Sequence, residues 1–194
     1  DTERPYNIIS KSSLCSGGAE QVERTYYSNN TIPDKESLTT SQRSAIQLLT
    51  SRNYLTTPVQ QTMEKKDKRL YSVLRGYSSS LSSGMVVEDQ YYCKGTDKYE
   101  KRISYNKYDI YGNPVYINKD GAEKVVYLWG YKGQYLLAEI KGATYEEVKK
   151  ALMVDPASMS SCILPSIPLY LNMIDNLYKA LPSALITSYT YHPL

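Results

Sequence analysis

The chain has 194 residues, a net charge of only +3 and an unusual aromatic content of 21 Tyr, one Trp and no Phe. Its basic residues are interleaved with acidic ones, as in EKKDKR at 64–69. This pattern disfavours a nucleic-acid partner, because a phosphate-binding surface needs clustered, unopposed cations. Tyr combines an apolar ring with a polar hydroxyl, so the composition indicates thin, partly solvated layers. The length suits a single domain over residues 1–194, or two small interlocked ones.

The three cysteines, Cys15, Cys93 and Cys162, are far apart and have no CxxC spacing, so at most one disulfide can form. The only histidine is His192, near the C-terminus, so the sequence predicts no metal site and no disulfide-rich module. The longest apolar run, at 163–171, is interrupted by two prolines, so no membrane-spanning segment is predicted. No phosphate-binding or other motif indicates a cofactor.

The first half of the chain predicts short strands separated by turn residues. Residues 6–9 form a candidate edge strand, and 20–27 alternate between polar and apolar side chains. Thr40 or Ser41 can cap a short helix that ends before Asn53. The remaining predictions are strands at 54–61 and 70–74 around an exposed tip at 64–68, a Ser-rich loop at 78–84, and strands at 85–93 and 99–105.

The densest pattern lies between residues 104 and 140, where tyrosines and turn residues alternate. Gly112-Asn113-Pro114 is a turn signal, and Asp120-Gly121 has the composition of a type I′ hairpin turn. β-branched and aromatic residues fill 115–117 and 125–129, and a further strand is predicted at 135–140. We therefore expect an antiparallel hairpin meander in this part of the chain.

Two helices and a strand are predicted after this meander. Thr144 and Glu147 have the spacing of a capping box at the start of the first helix. The second helix is predicted to begin at Pro168 and to stop at Pro182, with apolar residues at helical spacing between them. A last alternating strand is predicted at 185–191.

Parts of the sequence echo each other. Residues 57–77 and 113–131 share a Pro-Val pair, a tyrosine and a Gly-Tyr pair in the same order, and Ile186-Thr187-Ser188 resembles Leu49-Thr50-Ser51. These echoes predict repeat-like units over about 49–104 and 105–185 and the start of a third at 186–194. The alternative is that Tyr-rich hairpins resemble one another by composition.

The run YDIYGNPV, from Tyr108 to Val115, resembles the YD repeat of the rearrangement-hotspot (RHS) family. The match extends through VVYLWGYKGQYLLAEI to Leu152 and is similar to the variant in large surface proteins of gut bacteria. In this chain Asn113 stands where the family usually has Arg, as it does in that variant. The resemblance implies an extracellular or cell-surface bacterial array of β-hairpins. Its partners would be neighbouring YD repeats or other domains of a parent protein, of which this chain is a fragment or a short remnant. Asp155-Pro156 lacks the following Gly-Leu of the family's self-cleavage motif, so no autoproteolysis is implied.

Candidate catalytic groups are few. Glu88-Asp89 and Glu146-Glu147 are the close carboxylate pairs that a glycoside hydrolase would need. Neighbours in a strand are expected to face opposite ways, which separates Glu88 from Asp89, and Glu147 belongs to the capping box. His192 is the sole candidate base, and a solvent-facing structural role is expected for it. We therefore predict no catalytic residues, with a glycoside hydrolase as the least favoured alternative.

Six aromatic residues on adjacent predicted strands form a candidate ligand platform for a glycan or a peptide: Tyr111, Tyr116, Tyr127, Trp129, Tyr131 and Tyr135. The alternative is that these rings pack against the helices and against neighbouring repeats. Unpaired strand edges recruit partners, so an edge-strand dimer is a further hypothesis.

The fold class predicted from these patterns is mainly β (α+β), an antiparallel β-hairpin meander of YD-repeat type with two or three peripheral helices. The expected function is that of a non-enzymatic structural or interaction module of an extracellular surface protein. A carbohydrate-binding module that uses the aromatic sheet face around Trp129 is the alternative.

Overall fold

The computed structural model describes residues 9–14, 18, 20–81, 84–161 and 167–191. Its strands pair antiparallel in the order in which they occur along the chain, which confirms the predicted mainly β fold with peripheral helices. The strands are β1 Ser10–Leu14, β2 Glu20–Tyr27, β3 Pro58–Lys65, β4 Lys68–Leu81, β5 Gly84–Lys94, β6 Glu100–Tyr108, β7 Pro114–Lys119, β8 Glu123–Gly130, β9 Tyr135–Lys141 and β10 Leu185–Ser188. The helices are α1 Thr40–Ser51, α2 Tyr145–Leu152 and α3 Ile167–Ala180, with short 3-10 turns at Lys35–Ser37 and Pro156–Ser161.

The chain divides into two compact units. The N-terminal unit comprises Asp1–Leu81 and Met85–Arg102, and the C-terminal unit comprises Ser82–Gly84 and Ile103–Leu194. Each unit has its own apolar core.

The core of the N-terminal unit lies between α1 and the sheet. Leu49 of α1 is buried with Val59 of β3 and Leu74 of β4. The helix is capped by Thr39, one residue before the predicted caps. The Thr39 hydroxyl accepts from the Gln42 N–H at 3.2 Å, and the Gln42 side chain accepts from the Thr39 N–H at 3.2 Å. This reciprocal pair satisfies two of the amide groups left unpaired at a helix N-terminus.

The core of the C-terminal unit joins one side of the sheet to α2 and α3. Leu128 and Ile140 of the sheet pack with Val148 of α2 and Leu177 of α3, and all four are completely buried. The predicted capping box at the start of α2 is confirmed, since Thr144 and Glu147 make both reciprocal contacts. Within the described ranges, no helix is long and apolar enough to cross a bilayer.

Two hairpin turns follow the predicted chemistry. Asp120 and Gly121 have φ values of +48° and +73°, and the Ala122 N–H donates to the Lys119 carbonyl at 3.1 Å. Two consecutive positive φ values define the type I′ turn expected there. The tip predicted at 64–68 also holds two residues with positive φ, between β3 and β4.

Several predicted boundaries are wrong. The Ser-rich stretch expected to be a loop continues β4 as far as Leu81, and β5 begins at Gly84. Sheet pairing here overrides the weak strand preference of serine. The sequence similarity between Leu49–Ser51 and Ile186–Ser188 has no structural counterpart, because the first segment ends a helix and the second forms a strand. Of the edge strand predicted at 6–9, only Ile9 lies within the described residues.

Candidate functional site

The turn between β6 and β7 is organised by Asp109, which follows Tyr108 at the start of the turn. Asp109 is only 3% exposed. Its Oδ1 accepts from the backbone N–H groups of Tyr111 at 2.9 Å and Asn113 at 2.8 Å. Its Oδ2 accepts from the Asn113 side-chain amide at 3.0 Å. A short acidic side chain that caps its own turn in this way fixes the turn geometry.

Asn113 connects this turn to the next one along the sheet. Its Nδ2 also donates to the Gly133 carbonyl at 2.8 Å. Gly133 has φ +75°, and a Cβ there would lie 2.6 Å from Asn113 Nδ2 and 2.8 Å from the Tyr111 ring. The Asp109–Asn113–Gly133 contact therefore joins the β6–β7 turn to the β8–β9 turn, and only glycine fits at its far end.

The six predicted platform residues do not lie on one face of the sheet. Tyr116 is opposite Val126 in the β7–β8 register, and Val126 belongs to the core that faces the helices. Side chains alternate along a strand, so Tyr127 and Trp129 point to the other side. Tyr116 instead contacts Tyr145 of α2, with ring centroids 6.0 Å apart. The predicted platform is thus divided between two faces.

The two aromatic residues on the outer side of β8 are held by polar contacts. The Trp129 indole N–H donates to the Pro114 carbonyl at 2.8 Å. Burial, together with the nearby Glu139 carboxylate, raises the pKa of Tyr127 to about 12. Both side chains are half-buried. Trp129 therefore links β7 to β8 through its indole N–H, and its half-buried ring does not form an open stacking surface.

Tyr131, Tyr135 and Tyr191 form a compact aromatic group that we call the tyrosine rim. The ring centroids are 5.2 Å apart for Tyr131 and Tyr135, 4.7 Å for Tyr135 and Tyr191, and 6.4 Å for Tyr131 and Tyr191. Tyr135 and Tyr191 are 42% and 40% exposed. The Tyr191 hydroxyl donates to the Leu136 carbonyl at 2.8 Å. Tyr111, 46% exposed, lies against Gly133 in the turn that separates Tyr131 from Tyr135.

Sequence reasoning missed Tyr191 as a member of this group. Leu185 pairs with Lys141, and each step along β10 moves one residue back along β9. Continuing that register places Tyr191 opposite Tyr135. The proximity of Tyr191 to Tyr135 can be inferred only when the partner strand and its register are known, and the sequence alone specifies neither.

Tyr145, the first residue of α2, is buried and contacts Asp155, whose side chain is 39% exposed. The Tyr145 hydroxyl donates to the Asp155 carboxylate, and Lys107 Nζ lies 4.2 Å from the Tyr145 ring centroid. Burial alone would raise the pKa of Asp155, but the Tyr145 hydroxyl, the Ala157 N–H and the Lys149 ammonium outweigh it and lower that pKa. Burial and the Asp155 contact raise the pKa of Tyr145. These groups hold α2 against the 3-10 turn that follows it.

An open cleft of about 650 Å³ lies between the C-terminal ends of α2 and α3. Lys150 and Lys179 lie at its edge, and alanines with Leu181 form much of its wall. Both lysines occupy the last turns of their helices, where a cation balances the helix dipole. The Glu147 carboxylate at this cleft is already engaged by Thr144 at 2.7 Å. The cleft therefore presents no convergent set of reactive groups.

The two carboxylates at positions 88 and 89 converge, which contradicts the expectation that they face opposite ways. Gln42 Nε2 donates to Glu88 Oε2 at 3.1 Å and to Asp89 Oδ2 at 3.0 Å. The Gln42 amide thus lies between them and is itself packed against Gly76, where a Cβ would approach within 2.4 Å. A substrate would have to displace a buried helix residue to reach both carboxylates.

Other candidate groups are distributed singly. Cys93 is a buried free thiol whose Sγ donates to the Asp97 carbonyl at 2.9 Å. Cys15, Cys162 and His192 lie outside the described residues. Among the side chains that the structure does describe, no group of three His, Cys, Asp or Glu is placed to hold a metal ion.

Comparison with known proteins adds no relative. No protein-family model matches the chain, and neither a curated protein nor a solved structure does. The resemblance to the RHS family therefore depends on the residues quoted above, and the function has to be argued from the geometry.

Proposed function

We propose that the chain is a non-enzymatic structural and interaction module of an RHS-type extracellular surface protein of a bacterium. The observation that carries this proposal is that the polar residues of the YDIYGNPV run connect two consecutive turns. Asp109 and Asn113 tie one hairpin turn to the next through the Gly133 carbonyl. A repeated unit in a β-hairpin array needs such a connection, because each unit is stabilised by its neighbours.

The placement of the carboxylates supports a non-enzymatic role. A glycoside hydrolase needs two carboxyl groups with room for a sugar or a water molecule between them. The Gln42 amide fills that space between Glu88 and Asp89. Glu147 is occupied by its capping box with Thr144.

A test of this point is hydrolysis of nitrophenyl glycosides of glucose, galactose and N-acetylglucosamine. We expect no turnover by the wild-type chain above that of a Glu88→Gln/Asp89→Asn double variant. A wild-type rate that the double variant loses while it keeps its circular dichroism spectrum would overturn the non-enzymatic proposal.

The partners proposed for the module are neighbouring YD repeats or other domains of a parent protein. Strand edges are the natural contact, because an added strand continues the backbone hydrogen bonding of the sheet. In the absence of a parent protein, two copies of the chain could make the same kind of contact by pairing through one such edge.

Carbohydrate binding is the second candidate, and the tyrosine rim is the observation that favours it. Tyr135 and Tyr191 are 42% and 40% exposed, and Tyr111 in the adjacent turn is 46% exposed. Exposed aromatic faces on a rigid sheet can stack on sugar rings. The site differs from the one predicted around Trp129, whose indole N–H is engaged by Pro114.

Isothermal titration calorimetry with lactose, cellobiose and chitobiose tests this second candidate. If the rim binds one of these sugars, Tyr135→Ala should weaken binding about ten-fold, in line with the loss of one aromatic contact. Tyr54→Ala removes a tyrosine that is 55% exposed in the N-terminal unit and should leave the affinity unchanged. Absence of binding heat for every sugar, or equal effects of the two variants, would exclude the rim as a site for these sugars.

A further inference from the structure

β10 ends the strand order of the sheet and leaves one side open. It pairs with β9, and no strand follows it in the described part of the chain. Its sequence, LITS, contains no charged residue and no proline. Natural edge strands are commonly kept short or protected by lysine, proline or a bulge, because an unprotected edge recruits other strands, and β10 has four residues. β10 carries neither lysine nor proline.

The register specifies which backbone groups point outward. The Tyr189 N–H donates to the Leu137 carbonyl, directly opposite in the register, at 2.9 Å. Residues along an antiparallel strand alternate between facing the partner strand and facing away from it. Leu185 and Thr187 therefore direct their backbone groups to β9. Ile186 and Ser188 direct theirs to the open edge.

One side chain closes part of this edge. The Tyr178 hydroxyl, from α3, donates to the outward carbonyl of Ile186 at 3.1 Å. Tyr178 is 49% exposed, so its ring lies at the surface beside the strand. An incoming strand would need the same carbonyl as an acceptor. Tyr178 therefore competes with strand addition at β10.

We propose that β10 is a self-association edge at which two copies of the chain pair antiparallel about a two-fold axis at Thr187, and that Tyr178 restrains this pairing. The inference rests on the proposed function in taking the chain to be an interaction module. In this register Ile186 of one copy lies opposite Ser188 of the other, and the outward groups of both residues complete four backbone hydrogen bonds. Thr187 faces its own counterpart across the axis.

The side chains favour a second copy as the occupant. The same register places Leu185 opposite Tyr189 of the second copy, twice in the pair. Leu185 is 65% exposed and Tyr189 is 37% exposed, so each apolar contact would remove exposed surface from water. β10 carries no charge, so a copy meets no like charge on its own edge. β1, at the other end of the strand order, carries Lys11 and lacks this self-complementarity.

Sedimentation equilibrium over a range of concentrations tests the proposal. We expect the wild-type chain to show a reversible monomer–dimer equilibrium. Tyr178→Phe should tighten the dissociation constant roughly ten-fold, because each copy no longer gives up a hydroxyl contact to pair. Thr187→Lys should leave only monomer, since it places two ammonium groups across the axis.

The matched control is Ser13→Lys, which adds the same charge to the exposed edge strand β1 and should leave the dimer intact. Circular dichroism verifies that each variant is folded. Monomer at millimolar concentration in both wild type and Tyr178→Phe would overturn the inference, as would a dimer that survives Thr187→Lys or assemblies that grow beyond two copies. None of these results bears on glycoside turnover, so this inference and the proposed function can fail separately.

Discussion

Asp109 engages both of its carboxylate oxygens inside the turn that it begins. The side-chain amide of Asn113, in the same turn, donates to the Asp109 carboxylate and to the Gly133 carbonyl. The polar residues of a surface motif are often taken for ligand contacts. In this chain they are the connection between two consecutive turns, and the tyrosines around them, not the polar groups, remain exposed.

Asn113→Ala should lower the free energy of unfolding by about 2–3 kcal/mol, because it removes two hydrogen bonds, one of them to a buried carboxylate. Chemical denaturation measures this loss. Asn106→Ala is the matched control, since Asn106 is exposed and makes one long contact of 3.4 Å to the Ser104 carbonyl. Its effect should stay within about 0.5 kcal/mol. Equal effects of the two substitutions would contradict the role given to Asn113.

Polar contacts of Asp34, including an ion pair, attach the 3-10 turn Lys35–Ser37 to the sheet of the N-terminal unit. Asp34, just before the turn, accepts from Arg69 of β4 at 2.6 Å and from the Tyr99 hydroxyl at 2.9 Å. Both members of the ion pair are about three-quarters buried, with side-chain exposures of 24%. Burial, with the Asp34 contact, raises the pKa of Tyr99, which keeps that hydroxyl protonated as a donor. These polar contacts act together with apolar packing, since Leu38, directly after the turn, is buried in the core of this unit.

Asp34→Asn should destabilise the protein by about 2–3 kcal/mol, because it leaves the partly buried Arg69 guanidinium without its charged acceptor. Glu36→Gln is the natural comparison. Glu36 also pairs with an arginine, Arg43, but its side chain is 75% exposed, and such pairs contribute at most about 1 kcal/mol. Thermal or urea unfolding of both variants measures the difference. A Glu36→Gln effect as large as that of Asp34→Asn would show that burial does not set the strength of these pairs.

Features that depend on adjacent residues were predictable from the sequence. The capping box of Thr144 and Glu147, the type I′ turn at Asp120-Gly121 and the stop of α3 before Pro182 each follow from a few neighbouring side chains. The antiparallel order of the strands from β3 to β9 also follows from the short connections between these segments. Local chemistry was therefore enough for the fold class.

Features that depend on register or on distant packing were not predictable. The division of the aromatic platform between two faces follows from the pairing of Tyr116 with Val126. The meeting of Glu88 and Asp89 follows from the insertion of Gln42 from α1, which is far away in the sequence. Tyr191 joins the tyrosine rim only through the β9–β10 register. A one-residue change in any of these registers would place the side chains elsewhere.

Because the chain divides into two compact units, its single Trp can report on the unfolding of one of them. Trp129 lies in the C-terminal unit, with its indole N–H bonded across β7 and β8 to Pro114. Its fluorescence emission therefore responds to the opening of that hairpin and carries no direct signal from the N-terminal unit. Followed beside the far-ultraviolet signal of all the strands, this emission separates the melting of one unit from that of the other without a label or a substitution.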